Sequence, residues 1–160
     1  MTIAQKDKTT SKVETLARLY LESNSAEIAE ETIATLCDWL MAEFQGLPLN
    51  LQFSDYARYD DAEAMFADIK GDHLWVSADS YDSDVYPNPI YGFILQAVHD
   101  YDHYLTSGDF SLEGEIAAYN AIAKRSPSLE IQKIFYSEFV LRPAAHSYLG
   151  YAPAPKIVFP

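Results

Sequence analysis

Residues 90–103 read Ile90-Tyr-Gly-Phe-Ile-Leu-Gln-Ala-Val-His-Asp-Tyr-Asp-His103, and this stretch decides the fold because an apolar run leads directly into a cluster of metal-binding residue types. Helical spacing over residues 88–104 places His99 and His103 at positions i and i+4, on one face and about one turn apart. Two imidazoles at this spacing suit one divalent ion. The sequence therefore predicts a helix that carries two metal ligands.

A turn and a second helix are predicted after this stretch. Residues 107–111, with Gly108, are typical of a turn, and Ser111 is a residue type that caps helices. Glu115 would lie one turn into the second helix, and a tight hairpin would bring its carboxylate back toward the histidines. With Asp100 as a further ligand or as a partner that orients one, this donor set predicts a site for zinc, iron or manganese, with zinc favoured.

Each of these residues also has an ordinary structural interpretation. The helix dipole alone favours acids such as Glu113 and Glu115 in a first helical turn, and histidines on an acidic helix need no metal. However, His99 follows an apolar run, so we expect it near the core, where a buried imidazole needs a partner. In a catalytic metal site, Asp102 or Glu113 would transfer a proton.

The pattern HDxxH, followed by eleven residues and Glu, resembles the metal-binding signature of the coenzyme Q biosynthesis family. His99, Asp100, His103 and Glu115 match this pattern position for position. The resemblance implies a helical protein that binds zinc and acts on or organises the quinone head-group pathway. We therefore expect a divalent-metal-binding protein, and, if the metal is catalytic, a lyase or hydrolase that acts on a small planar or quinone-like molecule. This chain is short, has no evident lipid-binding extension, and shows no resemblance over its first seventy residues.

A second similarity covers the chain from Leu74 to its C-terminus. The segments that carry it are Gln96-Ala-Val-His-Asp100, Phe110-Ser-Leu-Glu-Gly-Glu115 and Ser137-Glu138, which are similar to parts of small uncharacterised phage and plasmid proteins with an H-D…H…G-E core. Glu138 and His146 lie in this region, and either side chain could approach the metal from a neighbouring helix. For Glu138 an i,i+4 pair with Arg142 is an equal alternative.

Length and composition predict one compact domain, and helical spacing of the apolar residues predicts that it is mainly α-helical. The chain has 160 residues, of which 49% are hydrophobic, enough to bury a core. We expect residues 1–9 to form a flexible tail and residues 10–160 to form one metal-binding helical domain. The single cysteine, Cys37, is predicted to be a buried apolar group. No hydrophobic signal core or membrane-spanning run is evident, so we expect a cytoplasmic protein without a transmembrane segment, either monomer or dimer.

The remaining elements follow from hydrophobic spacing and from turn residues. Predicted helices cover residues 13–21, 25–45, 61–69 and 128–149, the last kinked or restarted at Pro143. Short strands at residues 49–53 and 73–77 form a minor two-stranded β element, either a hairpin or a small sheet. Residues 79–89 form a loop, and residues 152–160 are extended, as an added strand or an apolar strap.

Charge supports an alternative, non-enzymatic function. The formal net charge of -13 disfavours direct binding to nucleic acid. Acidic residues are concentrated between Asp55 and Asp84, a run that is usually solvated surface. It would also suit binding of a basic partner protein, for example by a phage accessory protein or by an inhibitor that mimics the charge of DNA. In that case the metal would be structural or absent. Charge reversal between Asp79 and Asp84 should matter only for this alternative.

Overall fold

The computed structural model describes residues 3–77 and 85–160, with the backbone alone for residues 3–9. Within these ranges the chain is mainly α-helical with one small sheet, which confirms the predicted fold class. The elements in chain order are α1 (Ile3–Glu22), α2 (Glu30–Gln45), β1 (Asn50–Ser54), α3 (Ala62–Lys70), β2 (His73–Ser77), α4 (Ile90–Thr106), α5 (Leu112–Arg125), α6 (Leu129–Tyr136), a π-helical turn (Ser137–Leu141) and α7 (Arg142–Leu149).

The two strands form a parallel pair, in which Asn50 lies opposite His73 and Ser54 lies opposite Ser77. Parallel strands cannot be joined by a tight turn, and here α3 makes the crossover between them. The small-sheet prediction is therefore confirmed, and the hairpin alternative is wrong. The reason is that residues 62–70 form a full helix capped by Asp61, whose side chain accepts from the backbone N–H of Ala64.

Helix α4 lies at the centre of the domain, where it packs against α2, α3, α5 and β2. Its apolar run is buried on nearly all sides, as expected for a helix without a hydrophilic face over its first turns. The core around it includes Leu36, Leu40, Ile94, Leu95, Val98, Ile122, Ile134, Phe135 and Phe139. Because α4 continues from this core through residues 99–103, its polar side chains are carried into the protein interior.

The long C-terminal helix is interrupted just where its proline predicts a disturbance. Pro143 has no N–H to donate to the carbonyl of Phe139, and its ring would crowd that carbonyl in an α-helix. Between α6 and α7 the chain widens into the π-helical turn, in which the Arg142 N–H donates to the carbonyl of Ser137, five residues earlier. The turn shifts the side chains of residues 137–141 relative to a regular α-helix.

The two ends of the described chain differ from each other in structure. Helix α1 already begins at Ile3, because residues 3–12 contain no glycine or proline to stop it; the flexible tail at residues 1–9 stays a prediction. Residues 151–160 form neither helix nor strand, and Ile157 and Val158 are buried in the core, which confirms the apolar strap. The Val158 N–H donates to Ser137 Oγ at 3.0 Å, so the strap is tied to the π-helical turn.

Two other predictions concern burial and membrane insertion. Cys37 is buried in α2, as predicted. Among the described residues, no helix combines the length and the apolar character needed to cross a membrane. The predicted loop at residues 79–89 falls largely at positions 79–84, which lie outside the described residues.

Candidate metal centre

Helix α4 presents both predicted histidines on the side that faces α5. His99 and His103 are buried, and their Nε2 atoms lie 3.1 Å apart. The His99 ring stacks in parallel on the Phe139 ring, with centroids 3.9 Å apart, and the His103 and Phe110 rings are nearly perpendicular, with centroids 5.4 Å apart. These packed aromatic rings fix both imidazoles, so their Nε2 atoms point to one place.

The turn between α4 and α5 brings Glu115 to the same place. Ser111 caps α5 as predicted, with its side chain accepting from the Gly114 N–H. Two glycines allow the turn to pack closely on the start of α5: a Cβ on Gly114 would overlap the carbonyl of Asp109, and a Cβ on Gly108 would lie 2.8 Å from the carbonyl oxygen of Gly114. This close packing swings the Glu115 carboxylate back over α4.

Three donor atoms therefore form a nearly equilateral triangle. Glu115 Oε2 lies 3.0 Å from His99 Nε2 and 3.2 Å from His103 Nε2, and the two Nε2 atoms are 3.1 Å apart. A tetrahedral zinc ion at its usual bond lengths of about 2.0–2.1 Å holds its ligands roughly 3.3 Å apart. The triangle matches this spacing to within a few tenths of an ångström. Of the described residues, these three could hold a metal ion together.

The proton arrangement of His103 also fits a metal ligand. Its Nδ1 lies 2.8 Å from the Gly108 carbonyl oxygen, which can only accept, so Nδ1 carries the hydrogen. A neutral His103 then directs the lone pair of Nε2 toward the carboxylate and the other imidazole. A backbone carbonyl that fixes the tautomer in this way is the usual partner of a metal-binding histidine.

The same arrangement shifts the pKa values of His103 and Glu115. Both shifts favour positive charge next to the Glu115 carboxylate. Burial opposes the charged form of His103, but the Glu115 carboxylate and the Gly108 carbonyl outweigh it and raise its pKa. Burial likewise opposes ionisation of Glu115, but His99 and His103 outweigh it and lower the pKa of that carboxyl to about 2. Without a metal, a proton on His103 supplies positive charge next to the Glu115 carboxylate.

A cavity of about 160 Å³ opens beside two of the three donors. It is lined by Gln96, His99, Glu115, Glu138, Phe139, Arg142, Pro143 and His146. The triangle leaves one tetrahedral position open, which is the pattern of catalytic zinc sites. The cavity, which we call the site pocket, borders His99 and Glu115, and it could hold a small molecule or water.

Glu138 lies in the π-helical turn and lines the site pocket. The residue is only 3% exposed, and its Oε2 has no hydrogen-bond partner among the described residues. Arg142 Nη1 approaches Oε2 to 3.9 Å, which is an ion-pair distance beyond hydrogen-bond range. Burial raises the pKa of Glu138 to about 7, against the opposing effect of Arg142. The predicted pairing with Arg142 and the predicted approach to the site are thus both present.

Asp100 is buried next to the cluster, but its carboxylate is outside the triangle. Gln96 Nε2 donates to its Oδ1 at 2.6 Å. Burial raises the pKa of Asp100 to about 6, although His99 and His103 act to lower it. The Nδ1 of His99 is buried and has no hydrogen-bond partner in the described part of the chain, so Asp100 does not orient that ring by a hydrogen bond. A role for Asp100 as ligand stays a prediction.

The structure does not bring the two predicted proton carriers to the cluster. Asp102 is buried on another side of α4, where Arg125 donates to both of its oxygens at 2.8 and 3.1 Å. Glu113 is exposed on α5. The geometry gives Asp102 a structural ion pair, and it places Glu113 in solvent. Their catalytic assignment stays a prediction without support from these contacts.

The parts of the site that depend on tertiary packing could not be predicted from the sequence. The Gly108 carbonyl, the stacking of Phe139 on His99 and the lining by Gln96 have no sequence signal of their own. His146 is exposed at the rim of the site pocket, so it contributes to the pocket rather than to the buried triangle. No protein-family model matches this chain, and no match was found among curated proteins or solved structures.

Proposed function

We propose that this protein binds one divalent metal ion through His99, His103 and Glu115, and that the ion is zinc. The observation that carries the proposal is the triangle of donor atoms with edges of 3.0, 3.1 and 3.2 Å. Two imidazoles and one carboxylate are a donor set that zinc accepts, and three protein ligands leave a position for water or substrate. Two neutral imidazoles and one carboxylate also leave a net positive charge on the loaded site.

We further propose that the metal site is catalytic, as a hydrolase or lyase site. A metal bound here would polarise a substrate oxygen or lower the pKa of a water molecule. The site pocket supports this proposal because it borders the donors and is lined by charged and polar groups. Its volume is below the roughly 300 Å³ of the smallest typical drug-sized pockets, and its lining favours a small polar ligand over an extended apolar quinone.

Zinc binding is tested by metal analysis of the purified protein and of three variants. After reconstitution with zinc and dialysis against a weak chelator, the wild type should retain close to one equivalent. His99→Ala and Glu115→Gln should lose it while keeping the helical circular dichroism spectrum. His73→Gln is the matched control, since His73 pairs with Asp68 and Gln52 away from the cluster. A folded wild type that retains no zinc would refute the proposal.

The second candidate function is binding of a basic partner protein by the acidic residues between Asp55 and Asp84. The described acids of the stretch between Asp55 and Asp84 are mostly exposed, as binding of a basic partner requires. Asp79, Asp82 and Asp84 lie outside the described residues. Charge reversal at Asp55, Asp60 and Asp72 should abolish capture of a basic partner without changing zinc content. The opposite pattern would leave the metal site as the functional one.

A further inference from the structure

Glu138 is placed in a way that a stability argument does not explain. A buried carboxylate oxygen normally accepts at least one hydrogen bond, because leaving it unpaired costs free energy. Glu138 Oε2 accepts none from the described residues, and Arg142 stays 3.9 Å away. The residue nevertheless lines the site pocket, together with His99 and Glu115. The unmet requirement of this oxygen is for a hydrogen-bond donor.

Glu138 is too far away to be a fourth ligand in this structure. The donor atoms that lie within 4.8 Å of one another belong to His99, His103 and Glu115, and Glu138 is not among them. Glu138 lies in the π-helical turn between α6 and α7, whereas the three proposed ligands lie in α4 and α5. The site pocket is thus lined both by two of the proposed metal ligands and by an acceptor on the π-helical turn. π-Helical turns of this kind occur frequently at functional sites.

We propose that Glu138 binds the ligand of this site by accepting a hydrogen bond from an N–H or O–H group next to the oxygen that the ligand would offer to the proposed metal. This inference rests on the proposed metal function and specifies its substrate class: small polar molecules with an oxygen donor next to an N–H or O–H group, such as amides, hydroxamates and hydroxy acids. A simple carboxylate lacks that hydrogen and would not use Glu138.

The test compares two probes on the zinc-loaded protein by calorimetric titration at about pH 8.5, where the Glu138 carboxyl is ionised and can only accept a hydrogen bond. Acetohydroxamic acid offers oxygen donors with adjoining N–H and O–H groups, whereas acetate offers oxygen donors alone. In Glu138→Met, acetohydroxamic acid should bind roughly tenfold to a hundredfold more weakly than in the wild type, as expected for a lost hydrogen bond to a charged group. Acetate should bind the variant as well as the wild type or better, because a negative charge is removed.

Two further variants keep the outcome interpretable. Glu138→Gln retains the shape of the side chain and one acceptor oxygen. Its affinity for acetohydroxamic acid should therefore fall between those of the wild type and Glu138→Met. This variant also replaces Glu138→Met in the test if Glu138→Met does not fold. Glu63→Gln removes an exposed carboxylate on α3 and should change neither affinity. Equal affinity for acetohydroxamic acid in the wild type and both Glu138 variants, each holding one zinc, would overturn this inference but not the proposed metal binding. A wild type without zinc would overturn the proposed function and this inference with it.

Discussion

Replacing Glu138 with Gln should stabilise the metal-free protein, and the gain should grow with pH. In the native state burial raises the pKa of Glu138 from its ordinary value of 4.5 to about 7. A raised native pKa means that the folded state favours the protonated form, so stability is full below pH 4.5 and declines as pH rises through 7. At about 1.4 kcal/mol for each pH unit, this interval corresponds to about 3 kcal/mol.

The variant carries a neutral amide and does not lose this free energy. The difference in unfolding free energy between Glu138→Gln and wild type should be close to zero near pH 4.5. It should approach about 3 kcal/mol in favour of the variant near pH 8. The ionisable groups around the same pocket are His99, Glu115, Arg142 and His146. Because both proteins carry these four groups, comparing them largely cancels their own titration.

Urea denaturation followed by circular dichroism, with chelator present, gives both free energies at each pH. Glu63→Gln removes an exposed carboxylate from α3 and should show no comparable pH-dependent gain. A gap that stays constant or shrinks between about pH 5 and pH 8 would refute the reasoning. In that case Arg142 would stabilise the ionised form of Glu138, and the carboxylate would be a structural ion-pair partner.

Three further results are expected. Zinc at about a hundredfold above its dissociation constant should stabilise the wild type by about 2.7 kcal/mol. Differential scanning calorimetry should then show a rise in Tm of roughly 5–10 °C. The same zinc concentration should not stabilise Glu115→Gln. Gly114→Ala should cost about 1–3 kcal/mol in urea denaturation and weaken zinc binding, because the new Cβ overlaps the Asp109 carbonyl; unchanged zinc affinity would contradict the role of this close contact. Arg125→Ala should cost about 3–5 kcal/mol because it leaves Asp102 buried without its partner, yet zinc content should stay at one equivalent.

The parts of the fold that local patterns specify could be predicted from the sequence. The apolar run before His99 gave a helix within two residues of the observed bounds of α4, and Ser111 was correctly identified as the cap of α5. The i,i+4 spacing of His99 and His103 follows from helical geometry alone. The turn length then limits where Glu115 can lie, so the three donors were predictable together.

What could not be predicted depends on long-range packing. Strand direction could not be predicted, because the alternating pattern of each strand does not report it, although a helix at residues 61–69 was correctly predicted between the two strands. The predicted start of α2 at Ser25 was early, because residues 24–29 are held in an extended path, where the Ala26 N–H donates to the Ile157 carbonyl. Asp102 looked like a site residue in sequence, but its partner Arg125 is brought close only by the packing of α5 on α4.

The three residues that could bind a metal all lie in the hairpin of α4 and α5, between residues 99 and 115. An ion that joins them closes a short loop, so the entropy lost on closure is small compared with that of contacts between distant helices. Ion binding can therefore occur early in folding, before α1 packs against α7. In that order of events the ion would act as a nucleus around which the rest of the domain assembles, and the rate of refolding would depend on free metal concentration.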